Sequence, residues 1–361
     1  MYAGGVSDLG HIVHLAGQAR VASLRTIASR ALRTPSLRAR FARSRSEPVD
    51  GRVLDAQMAA LLGLDDFVGM SPMDSLTPER ARANLVREIQ VVESRPPGGV
   101  AIADRAYPSA AGPRTVRVYT PSGLPKGSPA IAYFHGGGWV VCDLDTHDVL
   151  CRRLALEVGA RVFSFDYRLA PEHRFPAAVD DATAGARWLL AHAEALGVDA
   201  ARVAVMGDSA GGNLAAVVSR RLQHDAAKPA LAVLLYPAVD ATFACASHRS
   251  MGQRYFLTRP MIDWYFGHYT GGAVDPKNPD LSPLHATDLG GCPRSIVYVA
   301  GFDPLRDEGV AYAEALRAAG VRVDLHELSS MPHGYALMTG VIDAAREAVL
   351  TMCADVRSAL V

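Results

Sequence analysis

The chain has 361 residues, 49% apolar and 20% charged, with 37 basic and 37 acidic side chains, 32 glycines and 22 prolines. This is the profile of an ordinary globular chain long enough to bury a substantial core, and it excludes disordered and fibrous architectures. No apolar run approaches the roughly eighteen residues of a membrane span, and no basic start followed by an apolar stretch suggests a secretory signal.

The neutral total hides an asymmetry. Residues 1–46 carry eight arginines (Arg20, Arg25, Arg30, Arg33, Arg38, Arg40, Arg43, Arg45) and one acid, Asp8, which leaves 29 basic and 36 acidic residues on the remainder. From Ala19 to Arg33, Val21, Leu24, Ile27, Ala28 and Ala31 recur at helical spacing, and Pro35 discourages continuation. This basic extension has three readings: weak contact with an anionic membrane, docking on the acidic body or a sister subunit, or a loosely ordered arm. It is short, and Phe41 is the only aromatic residue between Tyr2 and Phe67, so it gives no nucleic-acid footprint.

Residues 47–97 read as two helices. The first is marked by Leu54, Met58, Leu61 and Leu62, and the second is capped by Thr77 with Pro78 in its first turn. From about Gly98 the pattern turns to short strands: Arg114–Tyr119, Ala130–Phe134, Arg161–Phe165, Val203–Met206, Ala232–Leu235, Ser295–Ala300 and Val321–Glu327. Helical runs at Val149–Val158, Pro176–Glu194 and Asp307–Ala319 lie between them, the alternation of a mostly parallel sheet covered on both faces. The aromatic, irregular interval 241–281 breaks the rhythm and reads as a helical insertion between the two core stretches 98–240 and 282–361. The five cysteines (Cys142, Cys151, Cys245, Cys292, Cys353) show no metal or redox spacing, so isolated thiols in a reducing, cytoplasmic setting are expected, with no metal and no cofactor.

Gly207-Asp208-Ser209-Ala210-Gly211 fits G-x-S-x-G between the strand Val203–Met206 and a helix-capable run at Asn213–Gln223. A serine on such a turn is an expected nucleophile, and the amide of Ala210 at the helix start is an expected oxyanion donor. His135-Gly136-Gly137-Gly138 follows the strand Ala130–Phe134, and the amides of Gly137 and Gly138 are the other expected donors. His135 precedes the serine and is expected to anchor the glycine loop rather than act as base. The triad order Ser, acid, His leaves His333, past the last strand, as general base. Asp303, leaving the strand Ser295–Ala300, is the expected acid, with Asp307 and Glu308 as competitors at the next helix start. His326 should lie on the polar face of the last strand with Arg322 and Asp324.

With these positions set, the chain resembles the hormone-sensitive-lipase-like (family IV) bacterial carboxylesterases of the α/β-hydrolase superfamily over about residues 53–355. The resemblance rests on six stretches: Tyr133–Trp139, Asp166–His173, Pro176–Ala178, Gly207–Asn213, Asp303–Leu305 and His333–Gly334. It implies an α/β-hydrolase fold with a mostly parallel eight-stranded sheet and a helical cap formed by 47–97 and 241–281. It also implies hydrolysis of a small-molecule ester by a monomer or homodimer. The triad and oxyanion assignments carry over to the same residues. Glu172, expected buried, and Asp208 are supporting residues. Members often continue His-Gly-Phe where this chain has His333-Gly334-Tyr335. An amidase or deacetylase with the same triad, or a non-catalytic small-ligand receptor, are the alternative functions. Phe67, Met70, Tyr255, Phe256, Met261 and Trp264 are expected to roof an apolar pocket for short to medium acyl groups.

Overall fold

The computed structural model describes residues 23, 25–45, 47–68 and 72–360. Arg20, Val21, Leu24 and Met70 lie outside the described residues. Among those described, eight strands form one sheet: β1 (Val100–Ser109), β2 (Gly112–Pro121), β3 (Ser128–Phe134), β4 (Arg161–Phe165), β5 (Val198–Asp208), β6 (Leu231–Leu235), β7 (Arg294–Phe302) and β8 (Val323–Pro332). Their spatial order is β1-β2-β4-β3-β5-β6-β7-β8. The pairs β1–β2 and β2–β4 are antiparallel and the remaining pairs are parallel.

The helices in chain order are α1 (25–33), α2 (Pro35–Ala42), α3 (Ala56–Val68), α4 (Pro78–Val92), α5 (Asp148–Val158), α6 (Ala177–Ala191), α7 (Ala210–Arg221), the single turn α8 (Ser247–Ser250), α9 (Arg259–Thr270), α10 (Arg306–Ala318) and α11 (Asp343–Leu360). None of the described helices is long and apolar enough to cross a membrane. The period-two alternation of the strands divides the core into two layers. Ala130, Ala132 and Phe134 of β3 face the layer of α4, α6, α7, α9 and α10, while Ile131 and Tyr133 face α1, α2, α3, α5 and α11.

The structure differs from the sequence expectation at three elements. The edge strand β1 carries no alternating apolar signal because only Tyr107 in it is buried; it is held by pairing to β2 through the turn at Gly112. The last strand starts at Val323 rather than Val321, whose amide instead donates to Leu316 O and closes the end of α10. The long C-terminal helix α11 was not among the elements read from the sequence. His326 alternates with Asp324 along β8, whereas Arg322 precedes the strand, and the His326 ring stacks on Tyr298 of the neighbouring strand at 4.8 Å.

The N-terminal basic stretch is built into the body over residues 25–45. Thr34 interrupts the helix and Pro35 opens α2, where a missing amide costs nothing. Ala28, Leu32 and Ala42 are buried in the layer that holds Met58 and Leu62 of α3. Gly63 lets α3 approach closely, since a Cβ there would stand 2.1 Å from Phe41 O. Arg33 pairs with Asp343 at 2.9 Å and Arg45 with Asp66 at 2.8 Å. Phe67 meets Phe41 edge-on but is 76% exposed, so it lies at the surface. Leu32 is fully buried, so Leu32→Ala is expected to cost about 2–5 kcal/mol in equilibrium unfolding. A loss under about 1 kcal/mol would mean that α1 adds no stability.

Candidate active site

β5 delivers Asp208 to the sheet's C-terminal edge, and α7 begins at Ala210, so Ser209 must make the whole reversal. It does so at φ 55°, ψ −119°, a conformation that costs a non-glycine residue roughly 1–3 kcal/mol and needs its surroundings to hold it. The Ser209 amide donates to Leu235 O at 2.8 Å, and its carbonyl accepts from Asn213 N at 3.0 Å. A Cβ on Gly207 would lie 2.2 Å from Gly211 O, and one on Gly211 would lie 2.0 Å from Phe134 O. Both flanking glycines are therefore required by backbone contact.

β8 ends at Pro332, and His333 follows it into a turn in which Gly334 has φ 77°. The His333 Nε2 lies 2.9 Å from Ser209 Oγ and Nδ1 lies 2.7 Å from Asp303 Oδ2. Asp303, just beyond β7, is fully buried, and its Oδ1 accepts from Leu305 N at 2.9 Å. With Nδ1 protonated toward the carboxylate, Nε2 presents its lone pair to the serine hydroxyl. Asp307 is turned elsewhere: it accepts from Ser247 N at 2.8 Å and Arg306 Nε at 2.8 Å.

The glycine loop bends at Gly137 (φ 103°) and Gly138 (φ 59°), with Val140 N and Val141 N donating to Gly137 O. A Cβ on Gly138 would stand 2.2 Å from the Tyr265 ring, so α9 packs directly on this loop. Tyr265 also reaches Met73 Sδ at 2.7 Å, bringing the insertion between β6 and β7 against the segment before α4. His135 is fully buried; its Nδ1 donates to Gly136 O at 2.7 Å, and Tyr167 stacks on its ring. Burial, then the neighbouring His147, pushes its pKa down to about 4, so the ring is neutral at neutral pH. Asp208 is buried and accepts at Oδ1 from Tyr133 OH at 2.7 Å and Gly136 N at 2.9 Å, with His147 Nε2 3.2 Å away. Burial works to raise the Asp208 pKa, but His147 and the Tyr133 hydroxyl outweigh it and hold the carboxyl below its ordinary value. This carboxylate ties the glycine loop to the residue preceding Ser209.

Glu172 departs from expectation. It is not buried: its side chain is 46% exposed, and Arg82 holds its pKa down to about 2. Arg82, on α4, was not legible as a site residue, being one of several arginines on a polar helix. Its Nη1 and Nη2 grip Glu172 at 2.8 and 2.7 Å, Nη2 also donates to Ala170 O at 2.8 Å, and Nε donates to Val140 O at 2.7 Å. One guanidinium thus fastens a helix of the N-terminal segment to the far side of the glycine loop. His147 was likewise invisible in sequence, one histidine among twelve, and Tyr133, though part of the Tyr133–Trp139 stretch, carried no sign of its contact with Asp208.

A family model described as the alpha/beta hydrolase fold matches residues 131–337, more than half of the chain. The chain belongs to that family. Within it, the chain is one of the hormone-sensitive-lipase-like carboxylic ester hydrolases. The carboxylic ester hydrolase LipN of Mycobacterium tuberculosis is 43% identical over 302 residues, covering 81% of this esterase and 79% of LipN. The ethyl acetate hydrolase of Pseudomonas putida is 37% identical, covering 77% of this chain and 89% of its own. An ester hydrolase from the metagenome of Lake Arreo, solved with a derivative of bipyridine phosphonate, superposes with a TM-score of 0.81 at 38% identity, over 85% of this chain and 99% of its own.

In this esterase Arg82→Ala is expected to lower kcat roughly tenfold or more while KM moves little, because the loop loses its outer support and not a substrate contact. Arg82→Lys keeps a charge for Glu172 but loses the planar fork, so it should recover only part of the rate. Wild-type kcat in the alanine variant would mean that the loop holds its own shape.

Proposed function

We propose that this esterase acts through an acyl-enzyme on Ser209. The observation that carries this reading is the unbroken line from Asp303 through His333 to Ser209, at 2.7 and 2.9 Å, beside a loop of glycines with positive φ. His333 takes the serine proton as Oγ attacks the ester carbonyl carbon, and the new oxyanion accepts from the amides of Gly137, Gly138 and Ala210. The tetrahedral intermediate collapses as His333 returns the proton to the leaving alcohol. Water repeats the sequence on the acyl-enzyme and frees the acid and Ser209. Asp303 holds the imidazole tautomer and stabilises its protonated form. His135 and Asp208 shape the loop, and Glu172 acts through Arg82.

We further propose short to medium acyl esters as substrates, under a cap taken as residues 47–97 and 241–281. Two features support this. Aromatic groups pack beside the glycine loop: Tyr265 lies against Gly138, and Trp139, next in the chain, stacks on Tyr269 at 4.3 Å with Phe266 edge-on at 5.2 Å. A relative is also named for ethyl acetate hydrolysis. The five unpaired cysteines suit a reducing, cytoplasmic setting.

Ser209→Ala should retain its fold and lose at least about three orders of magnitude in kcat, and a reactive phosphonate should label wild type at Ser209. Asp303→Asn should cost roughly 10⁴-fold in kcat and Asp307→Asn only a fewfold, as steady-state kinetics will read. Equal losses would place the acid elsewhere. Across p-nitrophenyl esters of rising acyl length, turnover should peak at short or medium chains. A long-chain optimum with activation at a lipid interface would mark a lipase instead.

A further inference from the structure

Four arginines meet at a place remote in sequence from the triad. Arg25, Arg30 and Arg33 project from α1, and Arg95 comes from the turn after α4; together with Ser29 and Gly340 they line an open cavity of about 370 Å³. Their charges are poorly balanced. Arg33 pairs with Asp343 at 2.9 Å, but Asp343 also serves Arg346 at 3.0 Å. Arg25 donates to a neutral carbonyl, Gln90 O. Among the described residues, no side-chain hydrogen bond or ion pair engages the guanidinium groups of Arg30 and Arg95; the Arg30 carbonyl, by contrast, accepts from Thr34 N at 3.0 Å and Thr34 Oγ1 at 2.7 Å. The nearby carboxyl of Glu93 is buried, which pushes its pKa up to about 7, so it supplies less than a full negative charge. Burial lowers the pKa of Arg25; Glu93 opposes that shift and Arg95 adds to it. Arg30 and Arg33 stand three residues apart on one helix, a spacing at which like charges repel.

Guanidinium groups gathered around a cavity, two of them without a side-chain partner among the described residues, have the makings of an anion site. The valence of the anion follows from the donors. A single arginine fork can saturate the two oxygens of a carboxylate, whereas several forks converging with a hydroxyl need a centre with more terminal oxygens and more charge. We propose that this cavity binds a phosphate group, with Arg30 and Arg95 as its principal ligands and Arg25, Arg33 and the Ser29 hydroxyl around them. The phosphate belongs either to a small soluble phosphate ester or to the headgroup of an anionic lipid. Ile27, 63% exposed on the same helix, gives the second source an apolar neighbour. The site is independent of the ester chemistry, since neither principal arginine contacts a triad or glycine-loop residue.

The test uses the full-length chain and the double variant Arg30→Ala/Arg95→Ala. Inorganic phosphate and glycerol 3-phosphate are titrated calorimetrically at constant ionic strength against a sodium chloride control. Phosphatidylglycerol and phosphatidylcholine vesicles are then floated with each protein. Wild type should bind phosphate, and the double variant at least about tenfold more weakly, with ester turnover unchanged in both. Capture by phosphatidylglycerol vesicles that needs both arginines identifies the lipid headgroup as the source. Binding of the free phosphates without vesicle capture identifies a soluble ligand. The proposal is overturned if wild type binds neither free phosphate nor phosphatidylglycerol vesicles beyond the controls, or if the double variant binds as well as wild type.

Discussion

Ser209 is an L-residue held at φ 55°, and three strands cooperate to keep it there. β5 brings the chain to the turn, the Leu235 carbonyl at the end of β6 accepts the serine amide, and the Phe134 carbonyl at the end of β3 packs where a side chain on Gly211 would otherwise sit. Strain of this kind persists only where the neighbours leave no alternative, and a central parallel sheet with both faces buried is such a neighbourhood. The turn aims Oγ out of the sheet edge at which β7 and β8 also end. Asp303 and His333 are therefore delivered to the serine by the same strand geometry that strains it.

A second set of interactions supports the loop facing the serine. Glycines free its amides to turn, but they also deprive it of side chains that could hold it in place. The missing support comes from outside: Asp208 receives the Gly136 amide from the elbow side, His135 closes onto Gly136 O, and Arg82 takes the Val140 carbonyl from the helical side. Tyr265 covers Gly138 at a distance no Cβ would permit. Asp208 and Arg82 are tolerable as buried or half-buried charges because each is engaged by several partners, and the loop inherits rigidity from them.

The N-terminal layer obeys different physics. Its arginines are numerous for so short a stretch, yet it is joined to the body through buried Ala28, Leu32 and Ala42 on one side of its helices. Arg33 pairs with Asp343 and Arg45 with Asp66, while Arg25, Arg30 and Arg33 line a cavity that has no carboxylate among its described lining residues. The segment thus buries one stripe against the body and concentrates its charge on another.

The sequence by itself determined the fold class, most of the strands and helices of the core, and a serine, an acid and a histidine that the fold brings together. These are local matters: a strand running into Gly207–Gly211, a glycine run after another strand, a histidine past the last one and an acid past the one before it each carry a backbone requirement readable within a few residues. The edge strand β1 escaped because its side chains are exposed and only pairing makes it a strand. Tertiary structure alone decided which polar groups meet. Arg82 reaches Val140 across 58 positions, Tyr133 reaches Asp208 across 75, and Glu172 turned out to be exposed where burial was expected. No local period encodes such meetings, because they depend on how two layers of helices settle on a twisted sheet, and that is fixed by the packing of the whole core.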